Sequence, residues 1–268
     1  MLIKKISIIS FILMIISTNF VFAQKVNKES NSELTVEADE SLEWFEKEKY
    51  YLAKGNVLLK KNGLILKANM VKANYVIENK ENILKKIIAK DKVILIKGKA
   101  KATGQYMTYD TKKKIAFLSG PFQTFTSPSG YVESKKTIMF DDLKHEAEAV
   151  GQVKIILPNK TIIYADKVKA YFITEDKSLN KAIAIGNVII ENKLKEKTSK
   201  ADLGIYNSSS ETVKLEGNVV IINQNSSILG TKGITNLKTG VSNIIGDPKN
   251  KKRVKGVFAP IKKQNKGD

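Results

Sequence analysis

The chain has 268 residues, 42% of them hydrophobic, and its 46 basic against 27 acidic side chains give a formal charge of +19. It contains no cysteine, one histidine (His145) and one tryptophan (Trp44), which removes disulfide scaffolds, thiolate metal sites, cysteine nucleophiles and histidine triads from consideration. P-loop, dinucleotide and HExxH motifs are also missing, so the sequence reads as a non-enzyme without metal or cofactor.

Residues 1–23 read as a secretory signal: Lys4 and Lys5, the apolar run Ile6 to Ile16, and the small-residue exit Val21-Phe22-Ala23. Cleavage after Ala23 removes two lysines and leaves 245 residues at a formal charge of +17. A retained anchor is the alternative, because the run from Ile6 to Ala23 is nearly long enough to cross a bilayer; Ser17, Thr18 and Asn19 argue against it. Export directs the basic excess away from nucleic acid and toward phosphorylated lipids, polysaccharide or a membrane surface. Residues 24–33 form a short linker, and most lysines beyond it alternate with apolar residues, as on a solvated sheet face. Residues 247–268 instead gather basic residues among few apolar ones, a basic tail whose last part is expected to be disordered.

From the linker to the tail the chain repeats itself. Gly55-Asn56-Val57, Gly151-Gln152-Val153, Gly186-Asn187-Val188 and Gly217-Asn218-Val219 recur, with Asp91-Lys92-Val93 and the weaker Gly120-Pro121-Phe122 between them, at spacings of 36, 29, 31, 35 and 31 residues. A second mark follows each by 13 to 16 residues: Ala68-Asn69, Thr103-Gly104, Glu133-Ser134, Ala165-Asp166, Ala201-Asp202 and Gly230-Thr231, with an earlier copy at Ala38-Asp39. Each period holds two strand-length alternations separated by turn residues such as Asn62-Gly63 and Pro158-Asn159-Lys160, so one period is a hairpin of two long strands. The Gly-Asn pair falls inside a continuous run, where glycine permits a bulge, and predicts a bend in the sheet once per repeat. Helical periodicity is confined to Leu42–Tyr50 and Asp141–Val150, and the second of these fits strand and turn better.

Lys154 between Val153 and Ile155 fixes the apolar face. Carried along the repeat, that face holds Leu34, Val36, Val57, Leu59, Leu66, Val93, Leu95, Val188, Ile190, Val219 and Ile221, with Val168 and Phe172 on a partner strand. Packing a core is the ordinary role for such residues. Runs such as Val219-Val220-Ile221-Ile222 are apolar on both faces, so either both are covered or one lines a groove. Asp166 and Asp202 fall on the second mark, and recurrence once per repeat gives them a turn or rim role rather than acid-base work; His145 sits in a charged, solvated stretch.

Leu34-Thr35-Val36-Glu37-Ala38-Asp39, the Gly-Asn-Val and Ala-Asp/Asn repeats, Gly217 to Ile221 leading to Leu237-Lys238-Thr239-Gly240, and Arg253 to Pro260 together resemble the OstA-like β-jellyroll family of LptA-type lipopolysaccharide bridge proteins. The resemblance covers nearly the whole mature chain. It implies an all-β fold, a twisted V-shaped antiparallel β-jellyroll open at both ends, spanning residues 34–246 in about six repeats. The chain is longer than the compact family pattern, and the irregular period at Gly120, with Pro121 and Pro128, suggests a subdivision near 120–130. By the same resemblance the protein is periplasmic and carries lipid A acyl chains of lipopolysaccharide against the face above. Its open edges, expected at Leu34–Ser41 and Ile228–Leu237, would add strands from an inner-membrane LptC-type subunit, an outer-membrane LptD-type translocon or a second copy arranged head to tail. Three other readings stay open: a membrane-anchored LptC-type subunit, a polysaccharide-active β-helix enzyme, and a purely structural repeat protein.

Overall fold

Alternating apolar and polar residues between turn clusters make strands, and the computed structural model, which describes residues 21–22, 34–175, 178–223, 226–239 and 241–258, is built almost wholly of them. The first are Val21–Phe22 (β1), Thr35–Glu37 (β2), Ser41–Phe45 (β3), Tyr50–Lys61 (β4) and Leu64–Glu78 (β5). Glu81–Lys97 (β6), Ala100–Asp110 (β7), Ile115–Ser119 (β8), Gln123–Ser127 (β9), Gly130–Ser134 (β10) and Thr137–Asp141 (β11) occupy the middle. Glu146–Ile156 (β12), Thr161–Phe172 (β13), Leu179–Asn192 (β14) and Lys197–Asn207 (β15) follow. Thr212–Asn223 (β16), Ser226–Asn236 (β17), Ser242–Ile245 (β18) and Lys255–Val257 (β19) close the series. The expected signal and linker lie outside the described residues apart from β1, as do residues 259–268 of the tail.

All pairings are antiparallel and follow chain order from β2 and β3 to β18 and β19. Each repeat mark lies where a strand turns a corner. In β16, Glu216 pairs with Lys232 and Val219 with Gly230, so Gly217 and Asn218 stand opposite the single residue Thr231. Their φ values, +75° and +47°, are left-handed, a region glycine enters freely and asparagine more readily than most residues. A Cβ on Gly217 would also lie 2.3 Å from Asp202 Oδ2, and the same holds for Gly186 against Asp166.

The two marks are halves of one device. Asn56 Nδ2 donates to Asp39 Oδ2 at 2.7 Å, Asn187 to Asp166 and Asn218 to Asp202 at 2.9 Å each. The aspartates read from sequence as turn or rim residues therefore hold the corner of the next strand. The bend expected once per repeat occurs in every long strand: a two-residue corner on one is matched by a one-residue corner, such as Asp166 or Asp202, on its neighbour.

These corners divide the strands between two sheets that share a seam. Val57–Lys61 of β4 lies with β2 in sheet one, and Tyr50–Lys54 lies with β3 in sheet two. A two-residue corner preserves the phase of alternation, with Ala53, Val57 and Leu59 all buried. A one-residue corner shifts it, so that Leu66 and Ala68 are buried before Asn69 and Val71 after it. The irregular period at Gly120 is a corner at which the strand breaks into β8 and β9, and both sheets continue through it, since β8 pairs with β11 and β9 with β10. Both candidate helical segments are strand and turn.

The far edge differs from expectation. Ile228–Leu237 belongs largely to β17, which is covered by β18 and β19, so the edge lies one rung further on, and the sheet reaches Val257, beyond the boundary at residue 246. Gly246 to Val254 turn the corner between these two last strands, which supply that rung. A core that is continuous from Ala53 to Val188 is followed by a second cluster of Ala201, Leu215, Val219 and Ile221, with Ile190 packed against both.

Candidate functional site

Following the inward side chains from strand to strand gives two apolar ladders. The one in sheet one begins Val36, Leu59, Leu66, Leu95, Ala102, Phe125 and Val132. It continues through Ile155, Ile163, Ile190, Ser199, Ile221 and Ile228 to Gly256. The ladder in sheet two runs Leu42, Ala53, Val71, Ala89, Met107, Leu118 and Ile138. It ends Ala149, Val168, Ala184, Gly204, Leu215, Gly233 and Ile244. Each member is directly cross-strand from the next, the arrangement in which side chains on one sheet face pack together. Ser199 is the single polar member of either ladder.

The sheets meet tightly at the seam. A Cβ on Gly204 of sheet two would stand 3.3 Å from Val188 Cγ1 of sheet one, and one on Gly233 would stand 3.3 Å from Val219 Cγ1. Val57, Val93, Val153, Val188 and Val219, the valines after each first mark, form this innermost row and are all at most 1% exposed.

The fifteen residues expected on the apolar face thus separate. Val36, Leu59, Leu66, Leu95, Ile155, Ile190 and Ile221 lie on the first ladder and the five valines at the seam, while Val168 is on the second ladder. Phe172 is buried farther out on β13, and Leu34 leads into β2 against the main core. Sequence reasoning missed most of sheet two, whose ladder is rich in alanine and glycine. The signal for it was the phase shift at each single-residue corner.

Polar groups mark the limits of this interior. Lys61 and Lys97, in register through Leu64, share the inward side of sheet one near its hairpin ends. Burial pushes both ammonium groups below the usual lysine range. Burial, with Asp142 and Asp110 nearby, raises the Tyr109 phenol on sheet two. Outward lysines such as Lys167 and Lys169 pair with Glu148 at 2.9 and 3.3 Å, as on a solvated face. Among the described residues no cluster of His, Cys, Asp and Glu could hold a metal ion, and no helix is long and apolar enough to cross a membrane.

At the first edge Leu42 and Trp44 are 62% and 60% exposed although they point inward, because among the described residues no rung lies beyond them. Trp44 Nε1 donates to Tyr75 Oη at 2.8 Å, and its ring stacks on Tyr51 with centroids 6.1 Å apart. The inward residues of the last rungs are small: Gly233, Thr235, Ser242 and Gly256, with Ile244. The edges also differ in charge. Residues 34–45 carry Glu37, Asp39, Glu40 and Glu43 and no base; residues 242–258 carry Lys249, Lys251, Lys252, Arg253 and Lys255 against Asp247.

The family model described as LptA/(LptD N-terminal domain) LPS transport protein matches twice, over residues 35–139 and 131–241, together more than three quarters of the chain. The two matches meet at β10 and β11, where the sheets run on without a break. No curated protein matches. Among solved structures, LptH from Pseudomonas aeruginosa, described as the LptA homologous periplasmic component of the conserved lipopolysaccharide transport device, is 12% identical. That match covers 85% of this chain and 96% of LptH, with a TM-score of 0.22.

Proposed function

The chain belongs to the LptA/(LptD N-terminal domain) family of LPS transport proteins, and from that premise we propose that it is a periplasmic carrier holding lipopolysaccharide by its acyl chains between the two ladders. It is a transport protein and not an enzyme. The observation that carries the reading is the run of apolar pairs from one edge to the other: fourteen rungs at about 4.8 Å make a path of about 60 Å. Each CH₂ withdrawn from water contributes about 0.8 kcal/mol, so a partly sheltered acyl chain needs no specific polar contact to be held. Sugars and phosphates stay outside, where lysines of the rim suit phosphate. The signal-like start of the sequence supports the periplasm.

Bridging follows from the edges. Among the described residues, β2 with β3, and β18 with β19, each have one paired side and one open side, and an open side accepts a strand from an LptC-type subunit, an LptD-type translocon or a second copy. Added strands extend the ladders past the ends of one chain.

The carrier reading is tested by displacing an apolar fluorescent probe from the purified protein. Intact lipopolysaccharide is expected to displace it, and the same molecule stripped of its acyl chains is expected to leave it bound. Equal displacement by both would transfer the recognition to the sugars and overturn the reading.

A further inference from the structure

Gln123 is the only side chain among the described residues with buried polar atoms that find no hydrogen-bond partner, and both its Nε2 and Oε1 are in that state. It is 0% exposed at the start of β9, at the corner that follows β8. Its register partner across β10, Ser134, is equally buried but satisfied: its hydroxyl donates to the carbonyl of Thr137 or of Val150 and accepts from the Lys136 N–H. A Cβ on Gly104 would stand 3.4 Å from Gln123 Cγ and 3.2 Å from Leu118 Cδ2. The amide therefore lies at the seam beside the second ladder, near the middle of the path and close to where the two family matches meet.

A core needs an apolar side chain here, because an amide taken out of water with neither atom paired is destabilising. A carboxamide offers two donors and an acceptor, so it can bond a hydroxyl in either sense or a carbonyl through its NH₂. We infer that Gln123 is a polar station on the lipid path, which hydrogen-bonds an oxygen carried on an acyl chain as the chain lies against the seam. The inference rests on the carrier reading above. It adds a chemical preference that the ladders, being apolar, do not supply.

The test uses two fatty acids of equal length, one plain and one hydroxylated on the chain, as competitors for the apolar probe on the full mature protein. Wild type is expected to prefer the hydroxylated acid by about tenfold, the equivalent of one buried hydrogen bond. Gln123→Met, which keeps length and flexibility, is expected to bind both equally and to unfold at a higher urea concentration than wild type. A Met variant that keeps the preference, or a wild type that binds both acids without preference, overturns the inference alone. Failure of both acids to displace the probe from wild type removes the carrier reading and this inference with it.

Discussion

Replacing Gly217 by alanine is expected to destabilise the protein by about 3 kcal/mol, far more than the same change at Gly63. Both glycines have φ near +75°, so both variants bear the left-handed penalty of about 1 to 2 kcal/mol. At Gly63 nothing lies within 4 Å of the added Cβ, and the penalty stands alone. At Gly217 the Cβ meets Asp202 Oδ2 at 2.3 Å, and displacing that carboxylate also gives up the hydrogen bond from Asn218, worth about 1 kcal/mol. Urea midpoints of the two variants measure the difference. Adding Asp202→Ala to Gly217→Ala removes the contact with the carboxylate and leaves that with the Asp202 Cβ at 2.9 Å, so the double variant is expected to be more stable than the sum of the single changes requires. Equal losses at Gly63 and Gly217 would remove the corner device from the account of the fold.

End-to-end addition is expected to shift the emission of Trp44, the single tryptophan, to shorter wavelength as protein concentration rises. At 60% exposure the indole is wet in the isolated chain, and a rung laid on β3 would cover it with small inward residues such as Ser242 and Thr235. The acidic first edge and basic last edge favour head-to-tail contact over head-to-head or tail-to-tail, in which like charges meet. Raising salt from about 0.01 M to 1 M shortens the screening length from about 30 Å to about 3 Å and should reverse the shift. Glu40→Lys with Glu43→Lys takes the first edge, residues 34–45, from four acids and no base to two of each, and is expected to weaken association by about tenfold or more, measured by sedimentation. An unchanged sedimentation profile in the double variant would separate the charged edges from assembly.

The corners explain why part of this fold was legible in the sequence. Gly217-Asn218 and Asp202 are fixed by backbone geometry and a hydrogen bond, so they recur as visible marks, and the hairpin period follows from them. The valine after each Gly-Asn pair sits at the seam in every regular repeat, which made the apolar face readable in sheet one. Sheet two was harder to read. The single-residue corners at Asn69 and Asp166 change the phase of alternation, and many inward residues of this sheet, such as Ala89, Ala149 and Ala184, are too small to stand out from a polar pattern. The last rung escaped notice because β18 and β19 have few large apolar residues and their corner is crowded with lysine, which reads as a solvated tail. Gln123 gave no signal, since one amide in an irregular period looks like surface until its burial is known.

The central claim is that lipid lies on the inward face and nowhere else, and adjacent residues on opposite faces of one strand test it most directly. Photoreactive side chains at Leu59 and Ile190, on the first ladder, and at Leu58 and Ile189, one residue away on the outer face, would be irradiated in cells exporting lipopolysaccharide. Lipopolysaccharide adducts from Leu59 and Ile190, with none from Leu58 and Ile189, are the predicted result. Equal labelling of both faces, or adducts with protein alone from the inward positions, would contradict it.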